Sequence, residues 1–299
     1  MPQQTALVNL ELASVPSGYT TISFLSDFGV SDEFVGVVHS VFRSIAPEVE
    51  VIDITHGVPP HDVRAGSLAL ARSVEYLCPG IVVAVVDPGV GTDRRRIAVE
   101  VGEGESVLIG PDNGLLAPAV AMVGGPKQVI ELTNSNFHLT TSSTTFDGRD
   151  VFAPVAAHLA NGVPLTELGD PIDPNSLMPA IIPVSYIEEE ILFTEVLWID
   201  QYGNIQLNIG IEDLPEGQLQ IKIGERTYPT NVVSAFDQIP EGGVGLIVDS
   251  AGLIAVASLR SSAALEFSVS TGDSIQIQQA TDETTITTQV SLTPKKEST

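Results

Sequence analysis

The stretch Ile81 to Arg96, IVVAVVDPGVGTDRRR, decides how the chain is read. Six consecutive β-branched or small apolar residues, Ile81 to Val86, suit a strand buried on both faces. In open α/β sheets, ligands sit at the carboxyl ends of such strands, and Asp87 falls at that mouth. Pro88 has no N–H, and Gly89 and Gly91 tolerate φ > 0, so this turn can bring backbone amides close to a small molecule. Arg94, Arg95 and Arg96 then lead back toward the carboxylate. Taken alone, the stretch reads equally well as a strand-loop-strand with a surface Asp–Arg pair.

Working outward, Ile22 to Leu25 reads as a strand. Ser31 then precedes a helix with Phe34, Val37, Val38, Val41, Phe42 and Ile45 on one face, stopped by Pro47. His39 falls off that stripe and is read as a solvated surface residue. Val49 to Ile54 is the next strand, and Val63 to Leu77 a helix ended by Cys78-Pro79-Gly80. Ile97 to Val101 reads as a strand, and Val151 to Ala160 as a helix stopped at Asn161-Gly162. The order β-α-β-α-β predicts an α/β domain with a parallel or mostly parallel sheet. Between Val163 and Tyr186 five prolines break all periodicity, which reads as a linker. Beyond it the period becomes two, at Leu219, Ile221 and Ile223 and again at Ile275 and Ile277. Val244 to Val248 and Leu253 to Ala257 flank a hairpin turn at Asp249-Ser250-Ala251-Gly252. A smaller all-β barrel or sandwich is therefore expected as a second domain. The expected boundaries are 19–165 for the α/β domain, 166–186 for the linker and 187–285 for the β domain, with tails at 1–18 and 286–299.

A chain of 299 residues with 43% hydrophobic residues is globular and long enough for two domains. Its 13 basic and 38 acidic side chains give a net charge of -25, which argues against nucleic acid and anionic membranes as partners. One cysteine, Cys78, forms no internal disulfide. With no signal peptide and no apolar run long enough to span a bilayer, a cytoplasmic location is expected.

Carboxylates recur at predicted strand ends: Asp27, Asp53, Asp87 and Asp112, with Asp147 and Asp150 just before a helix. A hard-cation site is one reading, but no His-x-x-x-His or Asp-x-Asp pattern organises them, and no residue is assigned as a metal ligand. The second reading is recognition of a ribose diol by an ionised carboxylate, which Asp27 suits best. Gly89-Val90-Gly91 leads into a strand and is no dinucleotide fingerprint, and no nucleophile elbow or Walker loop is present. His56, His61 and His158 lie beside predicted elements and read as packing or capping residues, and His138 lies in a polar loop.

Seven motifs share one order along the chain. They are Ser26-Asp27-Phe28-Gly29, Asp53-Ile54-Thr55-His56, Val86 to Thr92, Pro111-Asp112-Asn113-Gly114, Phe146 to Pro154, Asp200 to Asn204 and Asp249 to Leu253. Together they resemble the S-adenosyl-L-methionine (SAM) hydroxide adenosyltransferases, SAM hydrolases related to fluorinase and chlorinase, over roughly Thr20 to Gln279. The resemblance implies an N-terminal α/β domain, a C-terminal β-barrel and a homotrimer with SAM between one subunit's N-domain and its neighbour's C-domain. It implies no cofactor. Asp27 matches the ribose-diol carboxylate, and Asp200 and Asn204 the positions that hold the methionine portion. Phe236, Ser250 and the backbone around Ser258 to Arg260 match the adenine pocket, and Phe146 is expected to touch substrate. Asp87 and Arg94 match two of an Asp-Arg-His trio that orients water.

The third member differs, because the family's Phe-His-Gly-Arg-Asp is here Phe146-Asp147-Gly148-Arg149-Asp150. The implied reaction is displacement at ribose C5′ by water, giving adenosine and L-methionine. An aspartate paired with Arg94 is expected to have a lowered pKa, making Asp87 an orienting group and a weak base. Loss of the histidine removes the side chain best matched to neutral pH. Asp147 then takes over as proton acceptor, or water loses its proton after attack, or turnover is slow. The alternatives are a weakened SAM- or adenosine-binding homologue, a halide-using adenosyltransferase and a metal-dependent hydrolase.

Overall fold

The computed structural model describes residues 18–280, and the chain divides into two compact units between Ile182 and Pro183. Each unit has its own sheet and its own core.

In the first unit the strands are β1 (Thr21–Ser26), β2 (Glu50–Thr55), β3 (Ile81–Val85), β4 (Arg96–Val101), β5 (Ser106–Pro111), β6 (Gln128–Glu131) and β7 (Asp170–Pro171). The helices are α1 (Phe34–Ile45), α2 (Val63–Val74), α3 (Ala117–Met122) and α4 (Ala153–Ala160). One seven-stranded sheet runs β2-β1-β3-β5-β4-β6-β7. The β2-β1-β3-β5 stretch is parallel, and β5-β4-β6-β7 is antiparallel. The change of sense follows from chain length: only Gly102 to Glu105 separate β4 from β5, too few residues for the crossover that parallel neighbours need.

Every residue of β3 is buried, because the sheet is covered on both faces. On one face Phe24, Ile81, Val83 and Ile109 pack with Val38 and Phe42 of α1 and with α4. On the other, α2 comes so close that a Cβ on Gly66 would lie 2.8 Å from Val86. The expected helix at Val151 begins earlier, in a π-helical turn over Gly148–Phe152 that runs into α4. The proline-rich segment after Val163 contributes to the first unit: Asp170–Pro171 pairs with β6, and Ser176 Oγ accepts a 2.9 Å hydrogen bond from Arg95.

The second unit holds β8 (Tyr186–Glu188), β9 (Ile191–Ile199), β10 (Ile205–Leu207), β11 (Leu219–Ile223), β12 (Arg226–Thr230), β13 (Val232–Val233), β14 (Gly245–Val248), β15 (Ile254–Ala257) and β16 (Ser274–Gln279), with one short helix, α5 (Ala263–Phe267). Its nine-stranded sheet runs β12-β11-β16-β9-β10-β15-β14-β13, with β8 on the side of β9. Ile221 and Ile277 from one half share a core with Leu246 and Val256 from the other, as the inward residues of a curled, barrel-like sheet do. The β14–β15 pair is an antiparallel hairpin, and Asp249 Oδ1 accepts from the backbone N–H groups of Ala251 and Leu253 to shape its turn.

Candidate active site

The parallel strands deliver two carboxylates side by side. Asp27 follows the last residue of β1 and Asp87 lies just beyond β3, and the Asp27 N–H donates to Val85 O at 3.3 Å. The three arginines after the glycine turn then separate, each to its own work. Arg94 forks onto Asp87, with Nε donating to Oδ1 at 2.9 Å and Nη2 to Oδ2, and the same Nη2 also donates to Asp147 Oδ2. Arg95 turns to Asp112, which is buried, and Arg96 Nε donates to Asp147 Oδ2 at 2.8 Å. Asp147 therefore sits where two guanidiniums converge, and Arg94 bridges the two aspartates. These carboxylates are deep: the side chains of Asp87 and Asp147 are 5% and 4% exposed, and that of Arg94 is 11%.

The expected lowering of the Asp87 pKa is overturned. Burial raises it, the paired Arg94 pulls it back only in part, and the neighbouring Asp147 charge pushes it up further, so the net direction is upward. Sequence identifies the partner charge but not the depth at which the pair is held. A buried aspartate with a raised pKa is a stronger base than a surface one.

These groups line a cleft of about 470 Å³ whose walls include Asp27, Phe28, Phe34, Asp87, Phe146 and Asp147. Phe28, Phe34 and Phe146 form a cluster with centroids 5.3 to 6.0 Å apart, Phe146 edge-on to the other two, and the Arg149 guanidinium lies 5.0 Å from the Phe146 centroid. Gly148 permits this wall, since a Cβ there would come within 2.9 Å of Phe28 and 3.3 Å of Phe146. Asp27 Oδ2 accepts from the His61 N–H at 2.8 Å, and among the described residues no donor is recorded for Oδ1. His61 also lines the cleft, and it holds a left-handed φ of 68° to aim that N–H. Nothing in Pro59-Pro60-His61 as a sequence signals this role. His138 lies in the expected loop but is half-buried there; its Nε2 has no hydrogen-bond partner among the described residues, and it feels the charges of Arg96 and Asp147. Burial and then Arg96 lower its pKa, so His138 is neutral near pH 7.

A second cleft, of about 630 Å³, belongs to the second unit and gathers Asn204, Phe236, Ser258 and Arg260 with Tyr202 and Asp237. Ser258 is 5% exposed, and its Oγ has no hydrogen-bond partner among the described residues. Asp200 works behind the surface, accepting from Tyr202 N, Asn204 N and Asn204 Nδ2 at 2.8 to 2.9 Å and so shaping the turn that presents Asn204. Ser250 lies in the hairpin turn at 249–252, which does not contribute to the lining of this cleft. Among the described residues no helix is long and apolar enough to cross a membrane.

A cleft walled by phenylalanines and floored by carboxylates at the ends of parallel strands defines a small-molecule-binding α/β protein. Comparison with known proteins narrows the class. The chain matches the SAM hydroxide adenosyltransferase N-terminal domain over residues 22–169 and the C-terminal domain of the same family over 194–276, and it belongs to that family. It is similar to an (R)-S-adenosyl-L-methionine hydrolase of Salinispora arenicola, at 44% identity across 86% of this chain and 97% of the relative. A fluorinase of Actinoplanes is more distant, at 26% identity across 88% of this chain and 99% of the relative. A solved structure of an uncharacterized conserved protein from Thermotoga maritima superposes with a TM-score of 0.79 at 33% identity, covering 86% of this chain and all of that one.

Proposed function

We propose that the protein hydrolyses S-adenosyl-L-methionine to adenosine and L-methionine without a cofactor. The observation that carries the proposal is Asp87: a carboxylate buried at a strand end, forked by Arg94, of raised pKa, in a cleft that also holds Asp27. In this reading Asp27 Oδ1 accepts from a ribose hydroxyl, which sets C5′ over Asp87. The water oxygen forms a bond to C5′ while the C5′–S bond breaks, and both of its electrons go to sulfur, turning the sulfonium into a neutral thioether. The leaving group needs no acid, since its own positive charge activates it. The water proton passes to Asp87, whose burial equips it to accept, and from there to solvent. Asp147, tied to Arg94 and Arg96, is a positioning residue in this scheme and not the base.

The remaining assignments extend this reading. Phe236, Ser258 and Arg260 are proposed to hold adenine, and Asn204 the methionine portion, with Asp200 shaping the turn that presents it. The unpartnered Ser258 Oγ in the second cleft supports a polar ligand there. A homotrimer is part of the proposal, with the first unit of one chain and the second unit of a neighbour sharing each SAM. Cys78, exposed and unpaired, supports a reducing, cytoplasmic setting.

Incubation with SAM and separation of products tests the reaction. Adenosine and methionine in equal amounts are expected, with Asp87→Asn slower by about 10²–10⁴-fold. No adenosine above a denatured-protein blank would refute it, and 5′-halogenated adenosine formed only with added halide would assign a transferase instead. A second reading, binding without efficient turnover, is motivated by Asp147, which stands where the family resemblance implies a histidine. Calorimetric SAM binding with no product would select it.

A further inference from the structure

Away from the cleft wall, a side chain from α1 meets two from the end of β2. His39 Nε2, from α1, lies 2.8 Å from Asp53 Oδ1 in β2, and His56 Nε2, just past the end of β2, lies 3.0 Å from the same oxygen. All three donor atoms lie within 4.8 Å of one another, and among the described residues no other His, Cys, Asp or Glu group is gathered this way. The acidic residues at the other strand ends do not join them, being committed to Arg94, Arg95 and the His61 N–H.

His56 carries the argument. Its side chain is only 5% exposed, yet Nε2 has no aligned hydrogen bond; the short contact to Asp53 lies off the ring N–H direction. Its other nitrogen, Nδ1, is 2.7 Å from Ser26 Oγ, which fixes the ring. Ser26 Oγ also accepts from the Phe28 N–H, so the group that fixes the ring is itself held by the backbone. An imidazole whose far nitrogen is held by a hydrogen bond while the near one faces other ligands is the usual geometry of a metal-binding histidine.

We infer that His39, His56 and Asp53 form a binding site for a borderline divalent transition cation such as zinc. Two neutral imidazoles and one carboxylate suit zinc, cobalt or nickel rather than magnesium or calcium, which prefer oxygen ligands. Ligand arms of ~2.0–2.1 Å in a tetrahedron set donor atoms ~3.3 Å apart, so the two spacings to Asp53 Oδ1, 2.8 and 3.0 Å, need open by only a few tenths of an ångström. Phe24 closes the inner side, with ring centroids 4.7 Å from His56 and 6.2 Å from His39, while His39 and Asp53, at 35% and 42% exposed, leave the outer position to water. A bound ion would pin α1 to the end of β2. Through Ser26 and the 2.8 Å Gly29 N–H to His56 O bond, it would also steady the turn that carries Asp27 and Phe28. The sequence reading, which assigns no metal ligand, pairs Asp53 with His56 in one motif but has no means of placing His39, from α1, beside them.

The test is calorimetric titration of zinc chloride into the full chain, stripped with chelator and dialysed. One zinc per chain is expected, with no heat from magnesium chloride, and a melting temperature raised by zinc. His39→Ala and, as a gentler change, His39→Gln are expected to weaken zinc binding by at least about tenfold while melting like the parent in chelator. His158→Ala, remote from the cluster, is expected to change nothing. Absence of zinc binding, or an isotherm unaltered in both His39 variants, would overturn the assignment.

Discussion

Arg94 and Asp147 are joined by a hydrogen bond from Nη2, the same nitrogen that holds Asp87, so one guanidinium ties the two aspartates together. Asp147→Asn removes a buried negative charge from between Arg94 and Arg96. It is expected to destabilise the fold by about 3 kcal/mol, measured by urea unfolding, since Arg96 loses its carboxylate partner and Arg94 one of its two.

The pH dependence of hydrolysis follows from Asp87. Burial raises its pKa, so its proton is lost only above the ordinary aspartate range, and activity requires the ionised form. The acid limb of kcat/KM is therefore expected at higher pH than for a surface aspartate. Because the Asp147 charge contributes to that rise, Asp147→Asn should move the limb to lower pH. The stability sign runs the other way: a raised native pKa favours the fold below the unfolded value, and that contribution is lost as pH rises through the folded one.

Asp27 offers one oxygen to His61 and, in the proposed complex, the other to the ribose. Asp27→Asn is expected to weaken SAM binding by about 10–100-fold, the worth of a charge-assisted hydrogen bond, with little change in melting temperature. Calorimetry with SAM checks the first part and a thermal melt the second.

Gly148→Ala places a methyl group 2.9 Å from Phe28 and forces the aromatic wall to move. A loss of about 1–3 kcal/mol in stability is expected, together with a raised KM, as the cleft is reshaped.

Much of this was legible in the sequence, and the parts that were not share a cause. Runs such as Ile81 to Val86 and the stripe through Val38 and Phe42 are local patterns, and they became β3 and α1. Asp87 and Arg94 are seven residues apart in a glycine turn, so their pairing was local too. What escaped notice needs distance in sequence: Asp147 reaching Arg94 and Arg96, Asp112 reaching Arg95, and His39 reaching Asp53 from a helix face read as solvated. The upward pKa of Asp87 belongs with these, since burial is a property of the whole sheet and its covering helices.

The proposed sharing of each SAM between chains predicts complementation. Asp27→Ala and Arg260→Ala lie in different units and are each expected to be nearly inactive. Coexpressed, they should regain part of the activity, because a first unit from one variant and a second unit from the other make an unaltered site. No recovery in mixed assemblies would place both halves of the site within one chain.

The most direct test of hydrolysis at C5′ is a reaction run in ¹⁸O-labelled water with mass analysis of the adenosine. One labelled oxygen at the 5′ position is predicted, carried by the wild-type chain and strongly reduced in amount with Asp87→Asn. Adenosine without the label, or no adenosine at all, would contradict the account.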